Sequence, residues 1–156
     1  LPIDAISVSR ISHPKDRFFI GESIKAVIKG VADDGKITLS HKELLGTWEE
    51  NARLFAPGQT VTGVVRSVED YGIFVEITPN LAGLAEPRPG TKVGQQASIY
   101  IKSIIPEKMK IKLIIIDSFD TGYTPEINYF YKGDRLCEWD YSPTDCQKQI
   151  TTRFCG

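Results

Sequence analysis

Two aromatic residues, Tyr71 and Phe74, lie three positions apart across Gly72, and a later stretch gathers Lys102, Lys108, Lys110 and Lys112. Lys110 and Lys112 alternate with Ile111 and Leu113, so on a strand both lysines point to one face. Such a row either meets an anionic partner or guards a strand edge against aggregation. The ring pair has two readings as well, a binding surface or a core Phe74 beside a surface Tyr71. Arg66 and Lys92 lie nearby in sequence.

The other reactive groups suggest no reaction. Glu69, Asp70, Glu76 and Glu86 could supply acid–base or metal chemistry, but nothing pairs them with a nucleophile, and they read as solvated surface. His13 and His41 have no second ligand at metal spacing and read as structural or surface residues. Cys137, Cys146 and Cys155 follow Cys-x8-Cys-x8-Cys, which is no zinc motif, and read as buried or idle thiols. Gly-rich phosphate loops, Gly-x-Ser-x-Gly and His-Glu-x-x-His are missing from the sequence. The expectation is a binding protein with no catalytic residues, no metal, no cofactor and no small-molecule substrate.

Positioning these residues falls to short, apolar-rich runs between turns at Pro57-Gly58, Pro79-Asn80, Pro87 to Gly90 and Gly122 to Pro125. Runs over 61–68, 71–77, 98–105 and 110–116, rich in Val, Ile, Tyr and Phe, predict strands. Gly72 suggests a bulge or a sharp bend of the kind that closes small barrels. Thr47-Trp48-Glu49-Glu50 is a capping box that predicts one helix from Trp48 to Phe55, stopped by Pro57-Gly58; a second box, Ser40-His41-Lys42-Glu43, is interrupted by Gly46. In the tail, Glu126 to Tyr131 and Leu136 to Tyr141 flank a turn-like Lys132-Gly133-Asp134-Arg135 and predict a hairpin, with a further strand over Gln149 to Phe154.

The 156 residues include 41% apolar and 25% charged residues, enough to bury a core. Net charge is −1, which argues against wholesale wrapping of a polyanion. Residues 58–117 carry seven basic and six acidic side chains, and 118–156 carry four and six. The middle segment is therefore the least hostile to an anion. The longest apolar run, Leu113 to Ile116, is too short for a transmembrane helix, and the chain opens without a signal-peptide pattern. Its start at Leu1 reads as a trimmed longer chain, and the odd cysteine count argues for a reducing, cytoplasmic compartment.

An internal repeat links two parts of the chain. Gly21 to Val31 followed by Lys36-Ile37-Thr38-Leu39 matches Gly94 to Ile104 followed by Lys110-Ile111-Lys112-Leu113, at an offset of 73 residues with one extra turn residue in the second copy. Both copies predict strand, turn, strand. The first provides strands at about 24–31 and 36–40, with a third near Ala5 to Val8, and lacks the opening strands that precede the second.

Residues 58–117 resemble the S-one RNA-binding domain, the repeat of the largest bacterial small-subunit ribosomal protein. The resemblance rests on Gly58, Val61, Gly63-Val64-Val65, Val68, Tyr71-Gly72-Ile73-Phe74-Val75, Gly83-Leu84, Gly94 and Ile111-Lys112-Leu113. The first copy resembles the second half of the same domain, ending in Ile37 to Lys42. The resemblance implies an all-β, five-stranded OB-type barrel over 58–117. Beside it stand a partial unit with a connector helix over 1–57 and a β-rich tail over 118–156. It also implies single-stranded RNA, mRNA near the ribosome, as the partner. The stacking aromatics fall on Tyr71 and Phe74, the basic last-strand residue falls on Lys110, and Lys102, Lys112 and Arg66 stand close by. Two positions depart from the pattern: the family's His is Glu86 here, and its Asp before the last strand is Pro106. The alternative is a protein-docking module of the same fold that tethers a larger protein to the ribosome or an RNA-processing complex. A third reading is an accessory domain of a ribonuclease. The tail, short of partners of its own, is expected to pack on residues 5–40 and complete the first unit.

Overall fold

The structure, a computed structural model, describes residues 1–120, 127–133 and 135–154. Alternating apolar residues build five strands that close on themselves: β3 (Thr60–Glu69), β4 (Gly72–Thr78), β5 (Leu81–Ala85), β6 (Gln96–Ile105) and β7 (Lys110–Phe119). Their order around the barrel is β3-β4-β5-β7-β6, with β5 and β7 parallel and the other neighbours antiparallel. Among the described residues, two earlier strands, β1 (Val27–Val31) and β2 (Ile37–Ser40), pair only with each other, as do β8 (Glu138–Asp140) and β9 (Thr151–Arg153) in the tail. Helix α1 (Trp48–Ala52) connects the first hairpin to the barrel. This is the all-β, OB-type architecture that the resemblance implies.

One period-2 argument explains the core. Ile73, Ala85, Leu113 and Ile101 are aligned across β4, β5, β7 and β6, and all four are buried. Burial of each of the three larger side chains, Ile73, Leu113 and Ile101, contributes about 1.5–3 kcal/mol. Two glycines permit the closure. A Cβ on Gly83 would lie 2.9 Å from the Ile111 carbonyl oxygen, and one on Gly72 2.7 Å from that of Ala85. Gly72 is thus a point of close strand approach. The bulge expected there lies across the ladder, between Val65 and Ser67, where Arg66 is the extra residue.

The repeat is structural as well as sequential. Ile28 faces Leu39 as Ile101 faces Leu113, Gly30 faces Thr38 as Ser103 faces Lys112, and Val31 faces Ile37 as Ile104 faces Ile111. Both hairpins skip one residue at the equivalent place, Ile28/Gly30 and Ile101/Ser103. The strand expected near Ala5 is instead a 3-10 turn, Ile3–Ala5, with Ala5 and Ile6 buried.

The connector follows its capping signals. Thr47 and Glu50 form the reciprocal box, and the helix ends at Ala52, short of Phe55. Ser40 donates to Glu43 ahead of the 3-10 turn Lys42–Leu45, which stops at Gly46 with φ 93°.

The tail departs most from expectation. Its hairpin joins Glu138–Asp140 to Thr151–Arg153, while 127–131 form no strand. The reason is that this first run bonds to earlier parts of the chain. The Phe130 N–H donates to the Leu44 carbonyl (2.9 Å), and the Tyr129 hydroxyl meets both His41 Nε2 (2.9 Å) and the Lys25 N–H (3.1 Å). Further on, the Tyr141 carbonyl accepts from the Trp48 N–H (3.0 Å), and Trp139 and Tyr141 join Trp48 and Ala52 in the barrel's apolar cluster. Glu126, Asp134, Cys155 and the turn at Gly122 to Pro125 lie outside the described residues. Cys137 is disulfide-bonded, which corrects the reading of idle thiols for that residue and removes the odd cysteine count as an argument for a reducing compartment; Cys146 is a free, buried thiol.

Asn80, read from sequence only as part of a turn, ties these pieces together. Its side-chain amide donates to the carbonyls of Lys42 (2.7 Å) and Gly46 (2.9 Å), and its side-chain oxygen accepts from the Val8 N–H (2.9 Å). Its backbone carbonyl accepts from the buried Tyr141 hydroxyl, whose pKa burial pushes up. A fully satisfied buried amide of this kind fixes the joint between N-terminal segment, connector, barrel and tail.

Candidate functional site

The outward register of the barrel gathers residues that are far apart in sequence. Next to the buried row runs an outward one: Ser67 on β3, Phe74 on β4, Leu84 on β5, Lys112 on β7 and Ser103 on β6. Phe74 is half-buried in this row, and Leu84 and Lys112 are exposed. The β3–β4 turn places Tyr71 at its tip, 67% exposed, edge-on to Phe74 with ring centroids 6.1 Å apart and planes at 82°. Lys110 and Lys112 are both exposed on β7, two positions apart and separated by the buried Ile111, as the alternation predicts.

A cleft of about 240 Å³ opens between these strands, lined by Tyr71, Leu84, Ala85, Glu86, Lys102 and Lys112 among others. It therefore brings together four of the residues singled out from sequence, Tyr71, Glu86, Lys102 and Lys112. Phe74 stands beside it as Leu84's cross-strand neighbour, and Lys110 follows on the same face of β7. Among the described residues, no ion pair engages Lys102, Lys110, Lys112 or Glu86. An aromatic edge, an apolar floor and free cations can hold a flat ring and its attached anion.

Arg66 stands apart from this set. Its guanidinium donates to Glu76 from Nε (3.3 Å) and Nη2 (3.2 Å). Glu76, read from sequence as solvated surface, is completely buried. It also accepts two bonds from the buried Arg17, one of them Nη1 to Oε2 at 2.7 Å, while Arg17 Nη2 donates to Ser7 Oγ at 3.2 Å. One carboxylate shared by two guanidiniums is how a charge survives inside a fold. The cluster locks the N-terminal segment to β4, and no sequence spacing signals it because Arg17 and Glu76 are 59 residues apart.

His41 is likewise structural. Nδ1 donates to the Ile6 carbonyl (2.6 Å), which leaves Nε2 to accept from the Tyr129 hydroxyl. Burial lowers its pKa below the ordinary 6.5, aided by the Arg17 charge and opposed by the Ile6 carbonyl, Glu43 and Glu22. His13 is exposed and caps the turn Pro14–Asp16. Among the described residues, no group of three or more His, Cys, Asp or Glu is placed to hold a metal ion, and no helix is long and apolar enough to cross a membrane.

Comparison with known proteins gives a consistent picture, although no family model matches the chain. The chain is 29% identical over 136 residues to small ribosomal subunit protein bS1 of Chlamydia trachomatis serovar D, covering 76% of this chain and 24% of that protein. It is 30% identical over 124 residues to the protein of the same name from Leuconostoc lactis, covering 71% and 29% respectively. With that of Staphylococcus aureus strain COL it shares 33% identity over 128 residues, 70% of this chain and 33% of the relative. The chain thus spans about a quarter to a third of these relatives. The matches take in more of it than the barrel alone.

Proposed function

From the S-one-type domain of the OB fold that this chain carries, we propose that its barrel binds single-stranded RNA without catalysing a reaction. The observation that carries this reading is the outward row Phe74, Leu84 and Lys112, with Tyr71 exposed at its edge and Lys102 and Lys110 nearby. Bases stack on Tyr71 and Phe74, and the lysines take the phosphates. Arg66 is left out of the binding set because Glu76 occupies its guanidinium. The relatives' name, a small-subunit ribosomal protein, supports mRNA near the ribosome as the physiological strand and the cytoplasm as the compartment.

With only a few cations on the face, binding is weak and salt-sensitive. The observed constant falls by about 0.7 log units per phosphate contact for each log unit of salt. Anisotropy of a labelled octauridine at two salt concentrations tests this. The expected result is a measurable affinity at low salt with a slope matching two or three contacts. No binding to any single-stranded RNA at low salt overturns the reading, and cleavage of the RNA by pure protein overturns its non-catalytic part.

A further inference from the structure

We infer that Glu86 makes the cleft a guanine-preferring base site; the inference rests on the RNA-binding reading above and adds a base preference to it. Glu86 immediately follows β5, is exposed, and shares the cleft with Tyr71, Lys102 and Lys112. Its carboxylate has no hydrogen-bond or ion-pair partner among the described residues, although two lysines line the same cleft. The cleft, about 240 Å³, is smaller than the ~300 Å³ at which drug-sized pockets begin, and it suits one ring system rather than a run of bases.

A carboxylate only accepts, through two oxygens side by side. An unpaired base that enters edge-first against Tyr71 and Leu84 presents its Watson–Crick edge to that pair. Guanine offers two adjacent donors there, N1–H and the N2 amino group, and so matches both oxygens. Cytosine and adenine each offer one amino donor beside a ring-nitrogen acceptor, which faces the second oxygen unfavourably. Uracil offers one N–H between two carbonyls, the worst match. Lys102 or Lys112 is placed for the guanine O6 or the adjoining phosphate. Glu86 therefore costs some phosphate attraction everywhere along the strand and returns it at one base.

The test compares labelled octamers of uridine that carry a single G, inosine, C or A at the fourth position with octauridine itself, using the whole chain. A single guanine avoids quadruplexes. The wild-type chain is expected to bind the guanine octamer about tenfold more tightly than octauridine, since a bidentate base contact discriminates by about fivefold to a hundredfold. Inosine, which lacks the N2 amino group, is expected to fall between them. Glu86→Gln and Glu86→Ala are expected to bind octauridine at least as well as wild type and to lose the guanine preference. Glu86 is exposed, so circular dichroism of the variants stays native. Equal wild-type affinity for all octamers, or a preference that survives in Glu86→Ala, overturns the inference and leaves RNA binding standing. Loss of binding to every octamer by the wild-type chain overturns both.

Discussion

The hairpin β1–β2 and the hairpin β6–β7 have the same register and the same bulge, yet their fates differ. Ile101 and Ile111 are 0% and 1% exposed, while their counterparts Ile28 and Ile37 are 58% and 56% exposed. The strands are alike, but only the second pair has β3, β4 and β5 to close over it. Burial here follows from the neighbours rather than from the strand's own residues, as expected where β-propensity measures fit to a surface. The same contrast holds for function. Lys29 repeats Lys102 and Lys36 repeats Lys110, but the first hairpin has no equivalent of the Tyr71, Phe74 and Leu84 platform. Cations recur in both copies, whereas the aromatic and apolar row beside them exists in one.

The largest expected effect lies where the two parts are locked together. Arg17→Ala leaves Glu76 buried with only Arg66 beside it and is expected to cost about 3–5 kcal/mol, read as a shift in urea midpoint. A loss below about 1 kcal/mol would show that the N-terminal segment contributes little to the barrel's stability. Next comes the direct test of the comparison. Ile101→Ala is expected to destabilise by about 2–5 kcal/mol and Ile28→Ala by no more than about 0.5 kcal/mol. Equal losses would mean that the first hairpin is covered in solution. Amide exchange checks the same contrast without mutation, with β1–β2 exchanging well before β6–β7.

The tail is a third way to sharpen the contrast. We propose that Tyr129 and Phe130 hold the first unit in place, completing it from outside rather than by strand pairing. Tyr129→Phe, which removes the hydroxyl shared by His41 and Lys25, is expected to cost about 1 kcal/mol and to speed exchange in β1–β2 more than in the barrel. Uniform acceleration would contradict that role.

The smallest effect is set by pH. The folded chain holds His41 neutral because burial lowers its pKa below 6.5, so the unfolded chain binds a proton that the folded chain refuses. This contribution is complete above the unfolded value and is lost as pH falls from 6.5 towards the lowered one. His41→Gln is expected to flatten that part of the stability profile on the acid side of 6.5. An unchanged slope would show that His41 titrates normally.

Much of the barrel was legible because its signals are local. Alternation marked β3, β4, β6 and β7, the Thr47–Glu50 box marked α1, and Tyr71, Phe74, Lys110 and Lys112 lay on runs whose period fixed their face. What stayed hidden depends on distant partners. β5 is built from Leu81-Ala82-Gly83-Leu84-Ala85, three of whose residues are poor strand formers, and its pairing with β4 and β7 decides it. Glu76 sits in an alternating strand like any surface carboxylate until Arg17 is brought to it. The tail's pairing was misread because Tyr129 and Phe130 are taken by the first unit, an interaction that spans the whole chain.

The barrel face as an RNA site is tested most directly by titrating one labelled guanine-containing octamer into five proteins at low salt: wild type, Tyr71→Ala, Phe74→Ala, Lys102→Ala and Lys29→Ala. Each aromatic is expected to be worth about 1–3 kcal/mol of binding, and Lys102 less. Its repeat counterpart Lys29 is expected to be worth nothing measurable. Unchanged affinity in both aromatic variants, or equal losses for Lys29→Ala and Lys102→Ala, would contradict the account.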